Sequence, residues 1–102
     1  MNNEAIKKIA ENYGYDAQSR QLIEEMAELT VALNKHYRVS ILTPQRVNFA
    51  ERIELRNIKE EIADVTIMLE QIKYLLSISD TDISEIIEQK LNRQLERIEK
   101  NE

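Results

Sequence analysis

Apolar positions recur along this chain at the three-and-four spacing of helices buried along one side. The clearest stretch carries Ile58, Val65, Met68, Ile72 and Leu75, and predicts a helix from about Ala50 to Leu76. Ahead of it, Ile6, Ile9 and Ala10 predict a short helix over about 4–12, capped by Asn2 or Asn3. Gly14 suits the left-handed residue that closes this helix. Asp16 then caps a second helix to about Tyr37, which buries Leu22, Ile23, Met26, Leu29, Thr30 and Leu33. The β-branched stretch Arg38 to Thr43 reads as a loop, and Thr43-Pro44 as a cap followed by Pro at the first helical position. Ser77 to Thr81 is a polar connection. Asp82 and Glu85 have the spacing of a capping box for a last helix, with Ile83, Ile86, Ile87, Leu91, Leu95 and Ile98 inward and fraying past Leu95. Helices joined by short connections predict a single all-α domain over 1–102, an antiparallel bundle of about four helices. A chain this small with such long amphipathic helices leaves an apolar face uncovered, so a dimer or larger homo-oligomer is expected.

One Gly, one Pro, 42% hydrophobic and 32% charged residues fit an all-helical domain. The net charge of −5 argues against a general grip on nucleic-acid polymers. No apolar run is long enough to cross a bilayer, so no membrane is expected as a partner, and the N-terminus lacks a secretory signal's apolar region. The absence of Cys removes disulfides, thiolate metal sites and Cys nucleophiles, and fits a cytoplasmic location.

The chemistry sits where acids interrupt apolar stripes. Glu61 falls on the stripe of the long helix, and Asp64 projects from the neighbouring face one turn on. Glu25 lies likewise on the stripe of Leu22, Leu29 and Ala32, with Glu28 one turn further. A carboxylate among core residues is costly unless something pairs with it. Glu51 and Glu54, Glu85 and Glu88, and Glu96 and Glu99 repeat the spacing without the apolar neighbours, and read as solvated faces. The residues alone leave two readings open: a divalent-cation site, or a polar patch at a subunit interface. Oxygen ligands would select Mg²⁺ or Mn²⁺ over Zn²⁺. Lys35 reads as solvated, and His36 as a cation near a helix C-terminus.

Gln21-Leu22-Ile23-Glu24-Glu25-Met26-Ala27-Glu28-Leu29 and Glu60-Glu61-Ile62-Ala63-Asp64-Val65 resemble the two metal helices of the MazG-like nucleoside triphosphate pyrophosphohydrolases, the all-α NTP pyrophosphatases. Ile83 to Arg93, ending Glu88-Gln89-Lys90-Leu91-Asn92-Arg93, resembles the helix that carries that family's phosphate-contacting basic residues. The likeness covers about Gln18 to Arg97. It implies that Glu25, Glu28, Glu61 and Asp64 hold Mg²⁺, with Mn²⁺ a possible substitute, and that Glu24 supports them or meets a second ion. Lys90 and Arg93 are then implied to meet the triphosphate. The implied reaction converts an NTP or dNTP to the monophosphate and pyrophosphate, in a dimer or dimer of dimers. Two departures from the family pattern are a longer segment between Glu28 and Glu61 and the absence of Trp, which leaves Tyr13, Tyr37 and Phe49 as the candidates to stack on a base. The alternative within the same fold is a catalytically silent helical module that binds a nucleotide or a protein.

Overall fold

The computed structural model describes residues 1–42 and 47–101, with the backbone alone at 42 and 47–52. Three α-helices follow one another: α1 (Asn3–Tyr37), α2 (Val47–Leu75) and α3 (Asp80–Lys100), with a π-helical segment, Arg38–Leu42, continuing α1. No strand occurs among the described residues. The first two expected helices are thus one element, and the loop expected from Arg38 is helical; Thr43-Pro44 lies outside the described residues. The break foreseen at Gly14 survives as a kink, where Gly14 takes φ 82° and ψ 171° inside α1. That backbone region is essentially closed to residues with a Cβ. Among the described residues nothing lies within 4 Å of where a Cβ would stand at Gly14, so the cost of Gly14→Ala is conformational. It should lower stability by about 1–3 kcal/mol, read as a lower urea midpoint; an unchanged midpoint would contradict this.

Asn2 caps α1 by accepting the amide N–H of Ala5 at 3.1 Å. At the start of the last helix Ser79, ahead of the expected Asp82, caps α3 by accepting the N–H of Asp82 at 3.1 Å. The short polar side chain nearest the first free amides wins the cap. Helix α2 closes on a paired cap in which the Ile78 amide donates to the Lys73 carbonyl and the Ser77 amide to the Tyr74 carbonyl. Ser77 accordingly takes a positive φ of 57°. Lys73 Nζ bridges Glu70 at 2.8 Å and Asp80 at 2.7 Å, joining the end of α2 to the start of α3. Its pKa is raised by the hydrogen bond to Asp80, then by that to Glu70.

Helices α1 and α2 form an antiparallel hairpin, because residue numbers in contact sum to a near-constant value. Gln18 meets Gln71, and Glu11 accepts the Tyr74 hydroxyl at the far end. That bond raises the Tyr74 pKa, and Lys7 Nζ lies 5.7 Å from the centre of the same ring, within cation–π range. The buried core is small: Ile6, Ala10, Ala32 and Met68, with Gln18 and Gln71 among them. Ala10 and Ala32 let the two backbones approach. Among the described residues α3 packs on neither α1 nor α2. The radius of gyration, 17.5 Å, exceeds the ~13 Å of a compact domain of this length.

The single-chain bundle of four helices is therefore replaced by a hairpin with a projecting third helix. A two-helix hairpin covers one line of contact per helix, and these stripes are wider. Ile9, Ile23, Met26, Thr30 and Leu33, expected inside, are exposed on α1. So are Ile86, Ile87, Leu91, Leu95 and Ile98 on α3, while Ile83 is half-buried.

Candidate metal centre

Glu25 and Glu28 project from successive turns of α1 toward α2, where Glu61 meets them. One carboxylate oxygen from each lies within 4.8 Å of the other two. The antiparallel register brings about this meeting, since Glu25 and Glu61 stand at the same level of the hairpin. Gln21 Nε2 donates to Glu25 Oε1 at 2.8 Å, which fixes the carboxylate's orientation. Glu25 Oε2 and Glu61 Oε2 are shielded from solvent and accept no hydrogen bond from the described residues. Buried acceptors of this kind are costly to leave unmade.

The donor set fits a hard divalent ion. Mg²⁺ binds oxygen at 2.0–2.1 Å, so two ligands on opposite sides of it stand about 4.2 Å apart. The oxygens lie within 4.8 Å of one another, close to that separation. Three carboxylates and no nitrogen or sulfur donor favour Mg²⁺ or Mn²⁺ over softer ions.

Not every expected residue joins. Asp64, half-buried on α2, is not part of the cluster. Because α2 runs antiparallel to α1, one turn beyond Glu61 carries Asp64 toward the level of Gln21 and Leu22, away from Glu28. Glu24 is exposed on the neighbouring face of α1. Lys90 and Arg93 are exposed on α3, which does not pack on the hairpin.

Other residues enter in their place. A cleft of about 320 Å³ beside the cluster is lined by Glu28, Lys35, Glu54, Asn57 and Glu61, with Val31 on its apolar wall. Glu54, read from the sequence as part of a solvated face, has its Oε2 buried and without a hydrogen bond from the described residues. The sequence did carry the signal: Glu54, Glu61 and the buried Met68 are spaced by sevens and so share a side of α2. Lys35, read as solvated, reaches the same cleft from α1, two turns past Glu28.

Compared with protein-family models, with curated proteins and with solved structures, the chain matches none of them.

Proposed function

We propose that the chain is an Mg²⁺-dependent nucleoside triphosphate pyrophosphohydrolase of the MazG-like kind, releasing a nucleoside monophosphate and pyrophosphate. The observation that supports this reading is the meeting of Glu25, Glu28 and Glu61 from two helices at one point beside an open cleft. Its second support is the likeness of the segments around these acids to that family's metal helices. In this reading Glu25, Glu28 and Glu61 hold the ion and Asp64 adds an outer contact. When bound, the ion supplies positive charge for the phosphate oxygens and a place for the attacking water.

The chain's own residues then bind and orient. Lys35 sets a cation in the cleft wall, suited to a phosphate oxygen, while Asn57 offers an amide to a polar group of the substrate. Glu54, which lines the cleft with Glu61 and has an oxygen that accepts no hydrogen bond from the described residues, can take a proton from water. Water oxygen bonds to the α-phosphorus, the bond from that phosphorus to the bridging oxygen breaks, and pyrophosphate leaves. Positioning and charge carry most of such phosphoryl chemistry. Lys90 and Arg93 stand away from the cleft of their own chain, so contact with the triphosphate requires α3 to approach it, or α3 of another copy. The proposal includes a homo-oligomer and a cytoplasmic location.

A panel of NTPs and dNTPs with Mg²⁺ should yield monophosphate and pyrophosphate by chromatography, with turnover lost on chelation and regained with Mg²⁺ or Mn²⁺. Diphosphate and orthophosphate as products would sink the assignment. The position of Asp64 outside the cluster favours a second reading, a silent module that binds nucleotide without turning it over. Titration calorimetry showing Mg²⁺-dependent nucleotide binding with no product would select it.

A further inference from the structure

The exposed apolar stripe of α3, with Ile87, Leu91 and Ile98 at its centre, is basic along one flank and acidic along the other. At about 100° per residue, Lys90, Arg93 and Arg97 fall on the basic flank. Glu88 and Glu99 fall on the acidic one. Helix α2 is divided in the same way about its open line of Leu55, Ile62 and Leu69. Glu54 and Glu61 lie on one flank of that line, Lys59 and Arg56 on the other. Followed in one rotational sense from the apolar line, α2 turns acidic where α3 turns basic. Among the described residues none of these charged groups has an ion-pair partner. Glu70, an acid on the Lys59 flank, is already bound to Lys73 at 2.8 Å.

Antiparallel helices are related by a two-fold axis perpendicular to the pair, so equal rotations on the two arrive at the same side. Antiparallel pairing of α3 with α2 therefore sets opposite charges together on both flanks. Parallel pairing would set like charges together. The short connection from Leu76 to Ser79 gives the antiparallel order within one chain. Counted outward from that connection, Arg93 is level with Ile62, Arg97 with Ile58 and Glu99 with Arg56. Arg93 and Arg97 thus bracket the level of Glu61. The hinge itself is lightly held. Ser77 turns the chain with a φ of 57°, and the described ion pair across the connection joins Lys73 to an Asp80 side chain that is 85% exposed. Exposed pairs are weak tethers.

We infer that α3 is a hinged arm that closes antiparallel onto α2 of its own chain, apolar stripe on apolar line, with Arg93 and Arg97 against the Glu54–Glu61 edge. The projecting position is its open state. Closure covers Ile62 and Leu69 and carries two cations to acids that line the cleft. The inference draws on neither the metal nor the reaction, so its test is run in chelator without nucleotide. The chain has no Cys, so spin labels attach only where Cys is introduced. Ala63 and Asn92 are exposed and stand level with each other in the closed arm. Labelled Ala63→Cys/Asn92→Cys, diluted into unlabelled protein, should give two distances by pulsed electron paramagnetic resonance. The shorter one is set by helix axes about 10 Å apart. Arg56→Glu or Glu99→Arg should lower the short-distance share at least threefold, and the two together should restore it. A single long distance would overturn the inference, and so would a short-distance share that ignores these charges or that the double exchange fails to restore. A short distance that vanishes on dilution with unlabelled chains would overturn it too, because it would belong to α3 of another copy.

Discussion

Glu61→Gln should raise the melting midpoint of the metal-free protein by several degrees. Glu61, Glu25 and Glu28 hold carboxylate oxygens within 4.8 Å of one another. Each like-charged pair at that range costs roughly 1–3 kcal/mol, between a water-like and a moderately screened environment. Gln keeps the shape of the side chain and removes two of the three repulsions. Its amide also donates, so it can satisfy the Glu25 oxygen that accepts no hydrogen bond from the described residues. For a domain of this size each kcal/mol moves the midpoint by about 4–8 °C. Mg²⁺ should favour the wild type instead: at a hundredfold excess over its dissociation constant it stabilises the wild type by about 2.7 kcal/mol. The variant should gain far less and lose turnover, the expected trade between stability and function. Asp64→Asn, outside the cluster, should leave the metal-free midpoint near the wild-type value. If the acids form a structural patch instead, Glu61→Gln will be neutral or destabilising and Mg²⁺ will move neither melt. Calorimetric melts of the three proteins with and without metal separate the outcomes.

The same residues show how far the sequence could be read. Helical periodicity was legible because each stripe repeats over several turns, and local chemistry narrowed the first cap to Asn2 or Asn3 and marked Gly14 as a break, which the structure makes a kink inside one helix. What it could not show was where the helices run relative to one another. Glu25, Glu28 and Glu61 meet because the hairpin is antiparallel in one particular register. That register carries Asp64 toward Gln21 and brings Glu54 into the cleft. Apolar periodicity records that a side becomes buried, without recording against what. Leu33, Leu91 and Leu95 were therefore expected inside one chain, whereas the hairpin and α3 leave them open.

The buried amide pair makes the sharpest test of the hairpin itself. Gln18 Nε2 donates to Gln71 Oε1 at 2.7 Å, joining residues 53 apart in sequence at a point between Met68 and the Gly14 kink. Gln71 is 1% exposed and Gln18 7% exposed, so neither can turn to water when its partner is removed. Gln71→Ala removes packing volume and leaves the Gln18 amide without an acceptor, and should cost about 2–4 kcal/mol. Gln71→Leu restores volume but not the acceptor, and should cost about 1–3 kcal/mol. The matching Gln18→Leu strands the Gln71 oxygen at a similar cost. With both replaced by Leu nothing polar is left unsatisfied, and two apolar side chains of similar size meet where two amides did. The double variant should therefore be close to the wild type or more stable, so the two single losses fail to add by about their whole sum, roughly 2–6 kcal/mol. Urea unfolding of the four proteins completes the cycle. If the double variant loses the sum of the single losses, the two amides do not act as a pair and this register of α1 against α2 is wrong.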